Sequence, residues 1–403
     1  MKTFDQTIES LNLDVSRQAF GVHFKYPVYF TRNIFEADHA LLESIIGRPE
    51  DDRCHKVIVY IDSTVAKMHP VICEKIERYF FGRNRLELVC HPCVIENTKM
   101  CKTRWDIVGD IMATVSQYHM DRQSIILAIG GGSLLDVVGF AGSIIHRGMR
   151  MIRVPTTTLA QADAGIGIKN GMDIFNAKNF AGTFAPPFAV VNDFGFLSTL
   201  SADDWIGGVA EAFKVAIIKD AAFCDFLCEH AKKLKDRDPA IMEKVIRRCA
   251  EIHLEHIRTS GDPFEYRSAR PLDFGHWAAH KIEVLSDFAI GHGQAVAVGI
   301  AIDSYYAMKK ELMTHAQFRT IIDGLVRCGF DVWSEHASKR TAENKLEIID
   351  GLQQFQEHLG GELTVTLPKG IGDKVDVHQV DLTIIEEAVQ YLKQYCNAGV
   401  GGQ

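Results

Sequence analysis

Ser124-Ile-Ile-Leu-Ala-Ile-Gly-Gly-Gly-Ser-Leu-Leu-Asp136 is the stretch that decides the fold of this chain. An apolar run enters a triple glycine, and a second apolar run follows at once. Residues 124–128 read as a buried strand and Leu134-Leu135-Asp136 as the opening of a helix. Glycines let the backbone approach a pyrophosphate, and a helix N-terminus favours an anion. The spacing is not G-x-G-x-x-G, so by itself a plain tight turn explains Gly130, Gly131, Gly132 and Ser133 equally well.

Outward from this turn, strands and helices alternate. Residues 56–61 (Lys-Val-Ile-Val-Tyr-Ile) form a β-branched run ending at Asp62-Ser63. Residues 64–80 read as helix, 86–89 as strand and 105–118 as helix. That alternation predicts a parallel sheet with crossover helices. Beyond about residue 200 the period becomes helical, over 203–260, 274–287, 293–312, 316–328, 338–358 and 382–395. The expected architecture is therefore an α/β, Rossmann-like dinucleotide-binding domain over 1–200 and an all-α metal-binding domain over 201–403. Residues 359–380 read as an excursion with one short strand, and 397–403 as a mobile tail.

Composition narrows the class. At 403 residues the chain exceeds what one core usually supports, which favours two domains. An apolar share of 47% with 24% charged residues is that of a soluble globular protein. A net charge of −8 argues against a nucleic-acid partner. No apolar run is long enough to cross a bilayer, and Met1-Lys-Thr-Phe-Asp-Gln6 lacks a signal-peptide pattern. Of ten cysteines only Cys90-His-Pro-Cys93 forms a C-x-x-C, which reads as reduced thiols near a strand end. Reduced cysteines fit the cytoplasm.

Two further groups carry chemistry. Pro155-Thr-Thr-Thr-Leu-Ala-Gln-Ala-Asp163-Ala-Gly-Ile-Gly-Ile-Lys169, with Lys178-Asn179 soon after, gathers an acid, cations and glycines. Thr156 and Thr157 add short hydroxyl donors, and Asp62 stands where acids accept from a ribose in dinucleotide folds. Downstream, Glu211 and Lys214 fall three apart on one helix face, as His276 and His280 do four apart. His292 lies in a glycine-flanked turn. A carboxylate with two imidazoles, Glu211, His276 and His292, leaves open positions on Zn²⁺, as a catalytic site needs. For each histidine alone, a hydrogen-bonded core or capping role is the competing reading.

Taken in order, these motifs resemble the dehydroquinate synthase-like sugar phosphate cyclases, from about residue 55 to 380. The matching stretches are Gly130–Asp136, His146-Arg147-Gly148, Pro155–Lys169, Lys178-Asn179, Glu211-x-x-Lys214, His276-x-x-x-His280 and His292-Gly293. Glu96-Asn-Thr-Lys99 resembles that family's adenosine-side contact. Arg270-Pro-Leu-Asp273-Phe-Gly-His-Trp277 departs from the dehydroquinate synthases and is similar to the C7-cyclitol synthases of the 2-epi-5-epi-valiolone synthase type. A second departure is Gln294, where the family has glutamate. Glutamine carries no charge to support the metal ligands, which predicts altered metal affinity or product.

The resemblance implies NAD, a Zn or Co ion, a sugar phosphate substrate and a homodimer. It implies cofactor contacts at Asp62, Glu96, Lys99, Gly130, Gly131, Gly132, Ser133, Asp136, Thr156, Thr157, Lys178 and Thr199. Metal ligation falls to Glu211, His276 and His292. Arg147, Lys169, Lys214 and Asn179 become the phosphate clamp, and His280 a proton relay. Asp163 orients Lys169 or binds a hydroxyl, and Asp273 marks the subgroup. The implied reaction oxidises a ring alcohol of sedoheptulose 7-phosphate, eliminates phosphate, returns the hydride and closes a carbocycle by aldol addition. Three rivals stand beside it. One is 3-dehydroquinate synthase itself. Another is a metal-dependent polyol dehydrogenase, which needs no phosphate clamp. The last is an idle NAD-binding protein, which only Gln294 favours.

Overall fold

The structure is a computed structural model, and it describes residues 16, 18–47, 53–96, 98–175, 177–260, 262–264, 271–358 and 363–399. Met1–Gln6, Arg270 and residues 400–403 lie outside these, as does the Lys99 side chain.

Seven strands form the main sheet: β1 (Val28–Thr31), β2 (His55–Asp62), β3 (Leu86–Leu88), β4 (Cys93–Ile95), β5 (Ile125–Gly130), β6 (Arg150–Pro155) and β9 (Ala189–Asp193). Their order is β1-β9-β6-β5-β2-β3, with β4 also on β2, and every pairing is parallel. Along β5, Ile125, Leu127 and Ile129 enter the core on one face, and Ile126 and Ala128 the core on the other. A strand covered on both faces has no need of polar alternation, which is why residues 125–129 are continuously apolar. β5 extends to Gly130, so the turn begins later than residue 128. Strands β7 (Lys169–Ile174) and β8 (Ala177–Phe184) form a separate antiparallel hairpin with a register shift between Met172 and Ile174. Alternation did not reveal it, because β8 mixes apolar and polar residues without a period of two and none of its positions is fully buried.

The helical half keeps its periodicity but breaks more often than expected. The 203–260 run is four helices, Ala202–Lys219, Ala221–Glu229, Ala231–Lys235 and Pro239–Thr259. Asp220 and Asp238 accept from backbone N–H groups of the helices they precede, and Pro239 opens the last at a position needing no donor. The 64–80 helix is likewise divided, into Ser63–Met68 and Ile72–Phe80 on either side of His69-Pro70. Helix over 338–358 is confined to Asp350–His358; before it Arg340 pairs with Leu346 across a turn at Asn344, whose φ is 65°. The later excursion holds two antiparallel strands, β10 (Val365–Pro368) and β11 (Lys374–Val377), so this half is not wholly helical. The last helix runs Leu382–Gly399, which takes residues 397–399 out of the expected tail.

Thr158 joins the halves. Its hydroxyl donates to Asp204 O (2.8 Å) and accepts from Gly208 N (3.0 Å). A Cβ at Gly208 would stand 2.5 Å from the Thr158 carbonyl carbon, so only glycine permits this approach.

Candidate active site

Glu211 sits in the middle of Ala202–Lys219, His276 opens the helix His276–Leu285, and His292 opens His292–Lys309. Two glycine crossings bring these helices together. A Cβ on Gly293 would lie 2.5 Å from Gly207 Cα, and one on Gly299 would collide with the Gly275 carbonyl. Gly275 itself has φ 78°, the left-handed conformation that starts the His276 helix. As a result His292 Nε2 lies 3.2 Å and His276 Nε2 3.6 Å from Glu211 Oε1.

Glu211 is fully buried. Lys214 Nζ forms an ion pair with its Oε2 at 2.5 Å, and neither carboxylate oxygen is satisfied by a hydrogen bond of regular geometry. A buried carboxylate with unfilled lone pairs beside two imidazole nitrogens is the donor set of a divalent cation. The residues present therefore fit a metal. Burial works against charge on Glu211, yet Lys214 and then His276 hold it well below the usual carboxylate range. Lys214 also faces Asp163 Oδ2 (3.6 Å), and those two acids keep it charged against burial. Asp163 contacts His253 as well, and it too stays ionised despite burial, chiefly through Lys214. Asp163 thus orients Lys214, where Lys169 was expected. Asp273 is close enough to add to the field on Lys214.

His280 stands one turn from His276, ring centroids 5.4 Å apart and 5.9 Å from His292. Burial, then the neighbouring His276 and Lys178, hold it well below the normal imidazole range, so it is neutral at pH 7. Lys178 reaches across from β8 to Glu283 Oε1 (2.5 Å), a contact with the metal helices where a cofactor contact was expected.

The glycine turn is a cradle. A Cβ at Gly130 would meet Leu134 at 2.9 Å and Asp62 at 3.2 Å, and one at Gly132 would meet Ala164 at 3.2 Å. Gly131 caps the helix Gly132–Ile144, which includes Ser133 and Asp136, and Thr156 N bonds Gly130 O at 3.0 Å. Thr157 Oγ1 accepts from Ala160 N, in a π-helical turn over Ala160–Ala164 that carries Asp163. A phosphate-sized anion suits this bare backbone at a helix N-terminus. Asp62 caps the next helix through Thr64 N (2.7 Å). Thr199 donates to Phe196 O, so its hydroxyl accepts from His69 Nε2 at 2.9 Å. Glu96 is exposed and pairs with Lys67 at 3.4 Å.

Lys169 and Asn179 lie on the exposed side of the hairpin. Arg147 stands just past the end of Gly132–Ile144, whose last turn meets the hairpin where Ser143 Oγ lies 2.8 Å from Thr183 Oγ1. A kink with φ 51° at His146 and 61° at Arg147 turns the chain there, and no described contact links Arg147 to the other candidates.

Five residues were not selected from sequence. Glu283 accepts from His292 Nδ1 at 3.0 Å. Its i+7 spacing from His276 is the one signal that could have found it. Lys102 contacts Asp136 and Asn179 at 2.7 and 2.6 Å. Arg153 is buried in β6 and donates to Gly165 O, Gly167 O, Lys169 O and Asn170 Oδ1, which shapes the loop before the hairpin. His253 completes the Asp163 contact, and Asp303 accepts from Gly275 N (3.0 Å) and Trp277 Nε1 (2.8 Å) around His276. Gln294 turns away and donates to Asp331 O at 2.6 Å, so Glu283 supplies the carboxylate behind the metal ligands. Cys90 and Cys93 are free thiols 3.9 Å apart where β4 begins.

Residues 92–207 match the family model for the 3-dehydroquinate synthase N-terminal region, and residues 208–350 that for the C-terminal region. The chain belongs to the 3-dehydroquinate synthase family, whose members are enzymes of the sugar phosphate cyclase class. It is 34% identical over 360 residues to 2-epi-5-epi-valiolone synthase of Streptomyces glaucescens, covering 89% of this chain and 88% of that one. It is 30% identical over 341 residues to 3-dehydroquinate synthase of Alkaliphilus metalliredigens (strain QYMF), covering 84% and 90%. Among solved structures it resembles ValA, the 2-epi-5-epi-valiolone synthase of Streptomyces hygroscopicus subsp. jinggangensis 5008 with NAD⁺ and Zn²⁺ bound. The TM-score is 0.83 at 29% identity, over 94% of this chain and 100% of that one.

Proposed function

We propose that this chain converts sedoheptulose 7-phosphate to a C7 cyclitol, 2-epi-5-epi-valiolone or an isomer, with loss of phosphate, using NAD and a Zn or Co ion. The observation that carries this reading is the buried Glu211 carboxylate, with unfilled oxygens between two imidazoles and against Lys214. The Pro271-Leu-Asp-Phe-Gly-His-Trp277 form favours the C7-cyclitol branch, and a relative named for that activity is 34% identical over 360 residues.

When bound, NAD supplies transient oxidation and re-reduction of a ring alcohol, and the ion held by Glu211, His276 and His292 supplies Lewis acidity. The chain's own groups do the rest. Gly130–Ser133, Thr156 and Thr157 hold the cofactor phosphates, with Asp136, Thr199, Asp62, Glu96 and Lys99 around them, while Lys178 braces Glu283 behind His292. Lys169 and Asn179 grip the substrate phosphate. Lys214, fixed by Asp163 and Glu211, places a dry positive charge where negative charge develops on the substrate oxygen. His280, neutral at pH 7, takes the proton of the alcohol and passes it toward the phosphate being released. Asp273 biases Lys214 and contributes to the choice of substrate.

The domain division we propose falls between residues 200 and 201, ahead of the Ser201 cap. A homodimer in the cytoplasm completes the reading, with a sugar phosphate as partner and no nucleic acid. Among the described residues no helix is long and apolar enough to cross a membrane.

The test is inorganic phosphate release from sedoheptulose 7-phosphate with NAD⁺ and Zn²⁺, beside 3-deoxy-arabino-heptulosonate 7-phosphate. Release from the first alone is expected. Release from the second alone would make the chain a 3-dehydroquinate synthase, and silence with both would overturn the sedoheptulose 7-phosphate reading and point to another substrate or to an idle NAD-binding protein.

A further inference from the structure

Lys102 stands on the 3₁₀ turn Thr98–Thr103, outside every motif of the proposed site. Its ammonium is 2.7 Å from Asp136 Oδ2, 2.6 Å from Asn179 Oδ1 and 3.6 Å from Asp173 Oδ1, and its side chain is only 13% exposed. Asp136 belongs to the helix that leaves the glycine turn, whereas Asp173 and Asn179 belong to the β7–β8 hairpin. One buried cation therefore ties the cofactor cradle to the hairpin that bears Lys169.

The chemistry of the pair is directional. An ammonium donates and cannot accept, so the asparagine atom facing it is the carbonyl oxygen. The NH₂ group is then the end left for another partner. An anion needs that donor end, and an amide turned the other way would meet it with a lone pair. Asn179 has few other ways to hold its orientation, being exposed on β8 with φ 53°; its backbone N–H is pinned by Asp173 Oδ1 at 2.8 Å. Burial disfavours the ammonium, but Asp136 and Asp173 keep it charged well past the ordinary lysine range.

We propose that Lys102 is a positioning residue that fixes the Asn179 amide with its NH₂ toward the substrate phosphate, a role that rests on Asn179 being a phosphate ligand. Lys102 itself stays on its two aspartates.

The probe is inorganic phosphate, titrated calorimetrically into NAD⁺- and metal-loaded protein. Asn179→Ala weakens phosphate binding about tenfold, the size of one charge-assisted hydrogen bond. Lys102→Met weakens it by a similar factor, Lys102→Arg restores it to within about threefold, and the double variant Lys102→Met/Asn179→Ala binds no more weakly than either single one. Should Lys102→Met fail to fold, Lys102→Gln replaces it, since glutamine still donates to Asp136 but offers Asn179 either end of its amide; about threefold weakening is then expected. If Asn179→Ala weakens binding but the Lys102 variants do not, or if the two effects add, the positioning role is wrong. If Asn179→Ala leaves phosphate affinity unchanged, the clamp reading falls and takes this proposal with it.

Discussion

Glu283 Oε2 accepts from His292 Nδ1 at 3.0 Å while its other oxygen holds Lys178 Nζ at 2.5 Å. A carboxylate on one imidazole nitrogen fixes the tautomer and presents the opposite nitrogen, here Nε2, toward Glu211. Between Glu283 and Glu211 the imidazole is held charged, up to about 9 against burial, when no ion competes for it. Replacing Glu283 with alanine frees the ring and leaves Lys178 without its partner. We expect metal affinity to fall about 10- to 100-fold. Competition with a chromophoric chelator measures this, and an unchanged affinity would rule the orienting role out.

Lys214 and Lys169 should separate stability from activity. Lys214 is 2% exposed, and its removal takes away the ammonium that stands between Asp163 and Glu211. Lys214→Met should lose about 3–5 kcal/mol of stability, the cost of breaking a buried pair. Lys169 is exposed, so Lys169→Ala should stay within about 0.5 kcal/mol of wild type while phosphate release is abolished. Urea titration with a parallel phosphate assay distinguishes the two. Turnover retained in Lys169→Ala would remove it from the clamp.

The helix crossing makes an asymmetric prediction about two glycines. A Cβ on Gly293 runs into the Gly207 backbone, whereas a Cβ on Gly207 meets nothing within 4 Å. Gly293→Ala should therefore destabilise by about 1–3 kcal/mol, as overpacking does. Gly207→Ala should be neutral or stabilise by up to about 1 kcal/mol, because alanine is the better helix former. Melting temperatures of the two variants decide it, and equal shifts would contradict the crossing.

His256 supplies a pH dependence away from the metal. Burial, then Lys219, His253, Lys169 and Lys374, depress its imidazole to about 4. The unfolded chain takes up that proton near pH 6.5, so stability is full above this pH and is lost as pH falls toward 4. After allowance for solvent screening the loss is about 1–2 kcal/mol. His256→Gln should flatten the urea midpoint over that window. A wild-type midpoint constant from pH 6.5 to 4 would refute the assignment.

The parallel sheet was readable because β2 and β5 are covered on both faces and so carry unbroken apolar runs. Glu211, His276 and His292 were readable because helical spacing and glycine flanks are local signals. The β7–β8 hairpin was not, since its strands mix apolar, polar and glycine residues without regular alternation, and its place depends on Arg153 gripping carbonyls 12 to 16 residues away. Glu283 and Lys102 act through partners 9 and 77 residues off, a relation no local pattern encodes. Gln294 looked like a loss beside His292, yet its side chain serves the Asp331 carbonyl and Glu283 supplies the charge.

The Thr158 hydroxyl, satisfied on both sides by the Ala202–Lys219 helix, has a consequence for how the molecule comes apart. That helix carries Glu211 and Lys214, and the loop that grips it descends from the strand beside the glycine turn. Neither half can melt without stripping a buried partner from the other. The two should unfold in one cooperative step, and a chimera joined at residue 200 would need both sides of this seam from the same parent.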